Sequence, residues 1–422
     1  MSIRVDRRRG VLAGLGAWAG AAMPAGPAID PLAGASLQAD VRTYASLGVH
    51  RTGTPGDAAT TAWLLRRLRA AGYAAQAQGF DYPVFELGRA DLELAGRTLE
   101  SFPYWTPVTT APGGVTAPLS TAGGPGRIAL VTLAAGAGGG LNAAPPPQIV
   151  TAAASGAVAV VAVTENPLGE LAALNRTPKA RAWSVPVLLA AARDGAALRA
   201  AAAAGEPLTA RLEGRTVLGR ADNVIGHRAR PGKHLVLSTP KSGWFHCAGE
   251  RGSGLAIWLG LARQLAATTD HNLTVVAACG HEFDGYGGHV FTETAAPPPA
   301  DTKLWVAIGA NVASYDFALR DGRLVRLDGP PAGRILACSD ALMTRAATAF
   351  AGQSGYQAPS DIDRTRPPGE LAHFQSLGYV PLIGLVASHP LHHTRRDRAD
   401  VTGPAMLEPV ARGLAALIAA AT

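Results

Sequence analysis

The sequence predicts an α/β protein with a three-layer architecture: a mostly parallel sheet flanked by helices on both faces, with a β-rich module inserted into the chain. From Asn223 onward, short apolar segments alternate with longer amphipathic ones, which is the order of strands and helices in a parallel sheet. Polar residues hardly interrupt the apolar segments, as expected for strands that are buried on both faces. Residues 106–216 instead contain short apolar runs separated by Gly, Pro and Ala, which predicts a smaller β-rich unit.

The individual elements of the α/β region follow from these runs. Strands are predicted at 223–227, 234–239, 273–279, 304–310 and 380–387. Helices are predicted at 253–266, 335–350, 369–378 and 404–420. An earlier helical pattern lies within 38–75 and ends near Gly72, a residue type that commonly terminates helices.

The chain of 422 residues is long enough for a large core and for two domains. We divide it into a leader, the first part of the main domain, the inserted module and the rest of the main domain, at 1–28, 29–105, 106–216 and 217–422. Within the module, strands are predicted at 127–133, 157–163 and 185–190, and a helix at 191–205. Three cysteines, Cys247, Cys279 and Cys338, are too few for a disulfide framework.

The N-terminus predicts export. Arg8 and Arg9 precede an Ala- and Gly-rich apolar segment and then small residues, the pattern of a twin-arginine signal peptide. The apolar part is too short for a membrane span. We therefore expect a periplasmic or secreted protein without stable membrane insertion. Part of the net charge of +7 belongs to this leader, and later residues contain no basic block with interleaved aromatics, so nucleic acid is not expected as a partner.

Polar residues follow the predicted strands at their carboxyl ends. Residues 239–241 follow the second strand, His281 and Glu282 the third, Asn311 the fourth, and residues 389–393 the last. Ligands of open α/β sheets bind outside the carboxyl ends of strands, so these residues are predicted to line one cleft.

Several motifs occur in a characteristic order. They are RTGTPG at 51–56, GRIALV at 126–131, ASGAVAVVAV at 154–163, VPVLLA at 185–190, ERGSGLAIWLGLAR at 250–263, ACGHEFDGYGGHVF at 278–291, GELAHFQSLGYVPLIGL at 369–385 and HHTRRD at 392–397. Together they make the chain resemble the secreted zinc aminopeptidases of the aminopeptidase Y type, which carry an inserted protease-associated domain and are similar in fold to glutaminyl cyclases. The resemblance implies a zinc-exopeptidase (phosphorylase/hydrolase-like) fold and an aminopeptidase-like activity.

In that family, a bridging Asp, the second Glu of a Glu-Glu pair and a final His hold one zinc ion. The bridging Asp, the His of an H-x-D segment and a later Asp hold another. The resemblance places Glu250 at the bridging Asp, Glu282 at the ligand Glu and His393 at the final His. The H-x-D segment falls on Thr239-Pro240-Lys241 and the later Asp on Asn311 or, alternatively, Ala310, so the second half of the site is lost.

The resemblance therefore implies a single zinc ion held by Glu250, Glu282 and His393, an acceptable set with an open fourth position. It also places His281 at the family's general base, and a neutral imidazole beside a metal-bound water can accept a proton. Lys241 could stabilise an oxyanion as a fixed positive charge. Alternatively, Lys241 forms a salt bridge to Glu282 or Glu250, in which case no metal is bound.

Three further residues, Asn311, His392 and His246, are candidate substrate-binding groups beside this set. Three functions then remain open. The first is an exported single-zinc hydrolase of peptide or other amide bonds. The second is a glutaminyl-cyclase-like acyltransferase, and the third is a non-catalytic protein that binds peptides in the old cleft. The hydrolase agrees with the family motifs and is the function that the sequence favours, whereas the binding protein agrees with the loss of ligands.

Overall fold

A computed structural model describes residues 30–134, 144–176 and 182–422, so the predicted leader lies outside the described residues. The α-helices of these residues are α1 (Gly34–Ser46), α2 (Pro55–Ala70), α3 (Pro147–Ala154), α4 (Gly195–Ala204), α5 (Ser253–Thr268), α6 (Tyr286–Thr294), α7 (Met343–Ala349), α8 (Leu371–Ser376) and α9 (Pro404–Ala421). The strands are β1 (Ala74–Leu94), β2 (Arg97–Pro103), β3 (Val115–Ser120), β4 (Ile128–Leu133), β5 (Ala159–Thr164), β6 (Val187–Ala191), β7 (Pro207–Arg228), β8 (His234–Pro240), β9 (Asn272–Ala278), β10 (Thr302–Ile308), β11 (Phe317–Arg320), β12 (Arg323–Arg326), β13 (Ile335–Cys338), β14 (Ser360–Asp361) and β15 (Leu382–Val386).

One sheet runs through the molecule in the order β1-β2-β6-β5-β4-β3-β7-β9-β8-β10-β15-β13-β14. Its middle strands β9, β8, β10 and β15 are parallel neighbours, while β7 and β13 join them antiparallel. Helices cover both faces of these strands, which are almost entirely buried. The predicted α/β class with a mostly parallel central sheet is therefore confirmed.

Two long antiparallel strands connect the two parts of the chain. Strands β1 and β7 pair from Ala74 opposite His227 to Leu94 opposite Leu208. The end of the pair with Ala74 and His227 borders the parallel strands, where β7 pairs with β9. At the end with Leu94 and Leu208, β1 pairs with β2 and β7 pairs with β3. We call β2 to β6 with helices α3 and α4 the β-rich lobe. The sequence pattern did not predict β1, because its apolar and polar residues alternate only weakly.

The predicted helix at 335–350 is wrong in its first part. Residues Ile335–Cys338 form β13, which pairs antiparallel with β15, and the α-helix begins only at Met343. The apolar run ILAC suits either structure when it is read locally. The segment forms a strand because it can pair with the edge of β15. Leu336, Ala337 and Cys338 are buried, and this pairing satisfies their backbone N–H and C=O groups.

The C-terminal helix α9 is long and apolar enough to pass a test for a membrane span by length and composition alone. Its apolar stripe is buried against the core of the α/β region, as the buried residues Leu407, Val410, Leu414 and Leu417 show. That position accounts for the apolar composition of α9 as a core helix.

Aromatic side chains join the β-rich lobe to the loops that follow β8 and β9. The ring centroids of Trp105 and Trp244 are 5.3 Å apart, and Phe283 lies 5.9 Å from Trp105 and 5.5 Å from Trp244. These contacts fix the lobe against the same loops that carry the candidate site residues.

Candidate functional site

The candidate site lies at the carboxyl ends of β8, β9, β10 and β15, where the predicted polar residues follow the strands. Its centre is Glu250, which belongs to a π-helical turn, Ala248–Gly252, that leads directly into α5. The Asp397 carboxylate accepts hydrogen bonds from the backbone N–H groups of Gly249 (2.6 Å) and Glu250 (2.9 Å). The last residue of the HHTRRD motif therefore fixes the turn that carries Glu250.

His393 faces Glu250 from the loop after β15. Its Nδ1 lies 2.9 Å from the carbonyl oxygen of Ala173 in the β-rich lobe, and a carbonyl can only accept, so Nδ1 carries a proton. Its Nε2 is 3.2 Å from Oε1 of Glu250. An imidazole held in this way presents Nε2 to the site, the arrangement that orients metal-binding histidines elsewhere.

Arg251 is an unpredicted member of the site. Its side chain is fully buried, its Nη2 lies 2.7 Å from Oε1 of Glu250, and its Nε donates to the carbonyl of Ser242 at 2.8 Å. The contact with Glu250 is an ion pair rather than a well-aligned hydrogen bond. Burial by itself raises the pKa of Glu250, but Arg251 and then His393 outweigh it, so this pKa lies well below its ordinary value.

Asn311 lies between Glu250 and His392. Its side-chain amide donates to the carbonyl of Ala387 at 3.0 Å, which fixes the orientation of the amide, and the same nitrogen lies 3.1 Å from Nδ1 of His392. Because an amide nitrogen only donates, Nδ1 of His392 accepts, and the neutral ring carries its proton on Nε2. Burial, followed by the neighbouring His393, lowers the pKa of His392 well below its ordinary value and keeps the ring neutral.

Glu282 is buried away from this centre. Its Oε1 accepts from the backbone N–H (2.7 Å) and the hydroxyl (2.9 Å) of Thr52, and its Oε2 accepts from the hydroxyl of Ser242 at 2.7 Å. Among the described residues, the group that brings possible ligand atoms within 4.8 Å of one another is Glu250, His392 and His393. The structure thus brings Glu250 and His393 together, but not Glu282 with them.

Lys241 also points elsewhere. Its ammonium forms a buried ion pair with Asp57 at the start of α2, and Asp57 in turn accepts from the thiol of Cys279 at 3.1 Å. Burial lowers the pKa of Lys241, but Asp57 outweighs it, so the net pKa is raised. Lys241 does form a salt bridge, but the predicted partner is wrong, because the ammonium pairs with Asp57 rather than with Glu282 or Glu250.

His281 lines an open cleft of about 590 Å³ beside the centre. Its Nδ1 lies 3.5 Å from Oε1 of Glu370, and His392 lines the same cleft. The sequence did not single out Glu370. His246 is half-buried, and its pKa is lowered by burial first and by Arg398 next.

A second cavity of about 430 Å³ lies between the β-rich lobe and the loop after β15. Ala173 and Asn166 line it from the lobe, and His392 and His393 line it from the loop. His392 therefore borders both cavities, and the lobe forms one wall of the site region.

As they stand, these residues do not make a three-ligand zinc set. Glu282 is fully hydrogen-bonded to Thr52 and Ser242. Nδ1 of His392 is engaged by Asn311, and its Nε2 carries the ring proton. Glu250 and His393 remain, and a structural or catalytic zinc ion takes three or four protein ligands.

Two of the residues that decide this geometry were missed in the sequence. Arg251 is a charged residue directly before a helix that is otherwise apolar, and a cation at that position next to Glu250 was the available signal. Asp57 lies in the first turn of α2 and gave no signal, because its partner Lys241 is 184 residues away in the chain.

No protein-family model matches the chain, and no curated protein is similar to it. Solved structures are similar over almost the whole length. A zinc aminopeptidase from Bacillus subtilis has 16% identity and a TM-score of 0.70, covering 93% of this chain and 96% of its own. An aminopeptidase from Aneurinibacillus sp. strain AM-1 has 18% identity and a TM-score of 0.62, covering 91% and 93%. A peptidase precursor from Shewanella amazonensis has 16% identity and a TM-score of 0.67, covering 93% and 96%. At these identities the likeness shows the fold, which is that of zinc aminopeptidases.

Proposed function

We propose that this protein binds peptides in the cleft of a peptidase fold without metal-dependent chemistry. The cleft is present at the carboxyl ends of the parallel strands, whereas the donors that a zinc ion needs are engaged in other contacts. The observation that carries the proposal is the Glu282 carboxylate, whose two oxygens are both satisfied by Thr52 and Ser242.

The lining of the 590 Å³ cleft supports a peptide as the ligand. Its wall combines apolar side chains such as Leu385 and Ala310 with the carboxylate of Glu370, and the exposed Arg366 also lines it. Apolar walls with a few charged groups suit apolar side chains and charged chain termini together. The aminopeptidases with this fold act on peptide substrates, which agrees with this choice of ligand.

Binding of fluorescent peptides in the presence of a chelator tests the proposal. Ala372→Trp places an indole against the wall of the cleft, where Ala372 is half-buried on α8. We expect this variant to weaken peptide binding at least about tenfold, which corresponds to about 1.4 kcal/mol. Ser376→Trp adds the same ring to an exposed position of α8 and is the matched control.

The expected result is peptide binding that chelator leaves unchanged and that Ala372→Trp alone weakens, with no release of amino acids. Zinc-dependent peptide cleavage that disappears in Glu250→Gln would contradict the proposal. Equal binding by Ala372→Trp and Ser376→Trp would show that peptides do not use this cleft.

The second candidate function is a single-zinc hydrolase of peptide or other amide bonds. The observation that favours it is the pair of Glu250 and His393, because Nε2 of His393 faces the carboxylate while Nδ1 is anchored on Ala173. Under this candidate, His281 in the cleft would be the proton acceptor. Zinc content measured in the same preparations separates the two functions.

We also propose that the protein works outside the cytoplasm after twin-arginine export. The support is the pair Arg8-Arg9 and the apolar segment that follows it. A peptide-binding protein that is exported folded would meet its ligands in the periplasm or the medium.

A further inference from the structure

Arg251 is the most unusual side chain of the site. It is 1% exposed, yet among the described residues neither terminal nitrogen of its guanidinium has a well-aligned hydrogen-bond partner. A buried guanidinium is costly unless a carboxylate compensates it, and here that carboxylate is Glu250. The positive charge of Arg251 is thus compensated by Glu250, the acidic residue at the centre of the site.

The contact is made at the atom that a metal would need. Oε1 of Glu250 lies 2.7 Å from Nη2 of Arg251 and 3.2 Å from Nε2 of His393. A zinc ion sits at about 2.0–2.2 Å from a carboxylate oxygen, so an ion on this oxygen would lie within about 5 Å of Nη2. A dication at that distance from a fixed, buried guanidinium is strongly repelled.

The guanidinium also connects the segments that meet at the centre. Nε of Arg251 holds the carbonyl of Ser242 after β8, and its Nη2 holds Glu250 in the π-helical turn. Glu250 in turn faces His393, which is anchored to Ala173 of the β-rich lobe. One cation therefore links the strand-end loop, the turn and, through Glu250, the lobe.

We propose that Arg251 is a built-in substitute for a metal ion: its guanidinium neutralises Glu250, links these segments and keeps zinc out of a latent site formed by Glu250, His392 and His393. The inference rests on the proposal that the native protein works without metal. It goes beyond it, because it names the residue that excludes zinc from Glu250 and predicts that removing this residue allows zinc to bind.

The test is zinc binding by the whole chain, measured by titration calorimetry and by metal content after dialysis. Arg251→Met removes the charge and keeps an apolar stem in the buried space. We expect the native protein to retain no zinc. Arg251→Met should bind about one zinc ion per chain through Glu250, His393 and His392, whose Nδ1 exchanges its hydrogen bond from Asn311 for the metal, with water completing the coordination. The gain should be at least about tenfold in affinity, and it should disappear in Arg251→Met/Glu250→Gln.

Arg228→Met is the matched control, because Arg228 lies at the opposite end of the sheet and donates to the carbonyl of Gly72. It should gain no zinc. Thermal unfolding gives a second readout, since zinc should raise the midpoint of Arg251→Met and leave that of the native protein unchanged.

Two outcomes overturn the inference. One is native protein that binds zinc as tightly as Arg251→Met and loses it in Glu250→Gln, and the other is a folded Arg251→Met that binds none. If Arg251→Met does not fold in metal-free buffer, refolding with zinc decides: recovery with bound metal supports the inference, and failure to recover overturns it. Peptide binding in the same samples does not depend on this inference. A native protein that binds neither zinc nor peptide would therefore contradict the proposed function and leave the inference about Arg251 intact.

Discussion

The buried ion pair between Lys241 and Asp57 gives the sharpest prediction of stability. Lys241 is fully buried and the side chain of Asp57 is 3% exposed, so Lys241→Met leaves a carboxylate without its counter-ion in the interior. Breaking a buried pair in this way costs about 3–5 kcal/mol. Asp57 keeps hydrogen bonds from the backbone of Gly53 and the thiol of Cys279, which favours the lower end of that range.

Unfolding in guanidinium chloride, followed by tryptophan fluorescence, measures this loss. A loss of about 3 kcal/mol is a large part of the 5–15 kcal/mol that stabilises a typical protein. The control is Lys233→Met, an exposed lysine before β8, which should change stability by at most about 0.5 kcal/mol. Lys241→Met/Asp57→Asn should recover about 1–3 kcal/mol relative to simple additivity, because the uncompensated charge is gone.

The reasoning is refuted if Lys241→Met is no less stable than Lys233→Met. Another outcome would support the role predicted for Lys241 from the sequence, which is to stabilise an oxyanion. If Lys241→Met kept its stability but lost an amide-cleaving activity of the native protein, then Lys241 would act on a reacting group rather than on Asp57.

Three further outcomes follow from contacts of the site region, and a fourth follows from the N-terminal sequence. Glu282→Ala removes an acceptor of three hydrogen bonds and should cost about 1.5–3 kcal/mol or more, with zinc content unchanged; zinc lost in this variant would make Glu282 a ligand after all. Asp397→Ala should cost a similar amount by freeing two buried N–H groups, which hydrogen exchange at the turn would detect. The pKa of Lys241 is raised in the folded protein. Its contribution to the free energy of unfolding is therefore complete below the pKa of the unfolded state, about 10.4, and is lost as the pH rises through the pKa of the folded state. Unfolding curves from pH 8 upward measure this loss, and stability that rises with pH contradicts it. Replacing Arg8 and Arg9 together by Lys should block export and leave full-length precursor in the cell, as immunoblots of cell fractions would show.

The central strands were readable from local sequence because each is a continuous apolar run. LTVVAAC and LWVAIGA cannot be solvent-exposed, and their alternation with amphipathic helices leaves a covered parallel sheet as the packed arrangement. Strand β1 and the segment ILAC were not readable in the same way. Their conformation depends on a partner strand, β7 or β15, that lies far away in the chain.

The positions of the candidate residues were also predictable, since polar residues after parallel strands converge at one edge of the sheet. Their contacts were not. Motif positions predicted that Glu250 and His393 would meet, and they do, but the same motifs grouped Glu282 with them, and Thr52 and Ser242 hold it elsewhere.

The sequence by itself determined the fold and the edge of the sheet where the cleft lies. The tertiary structure decided which charges pair with which. Lys241 forms an ion pair with Asp57, and Arg251 forms one with Glu250. Pairing in the interior depends on which buried groups come within a few ångströms of one another, a property of three-dimensional packing that residue spacing along the chain does not encode.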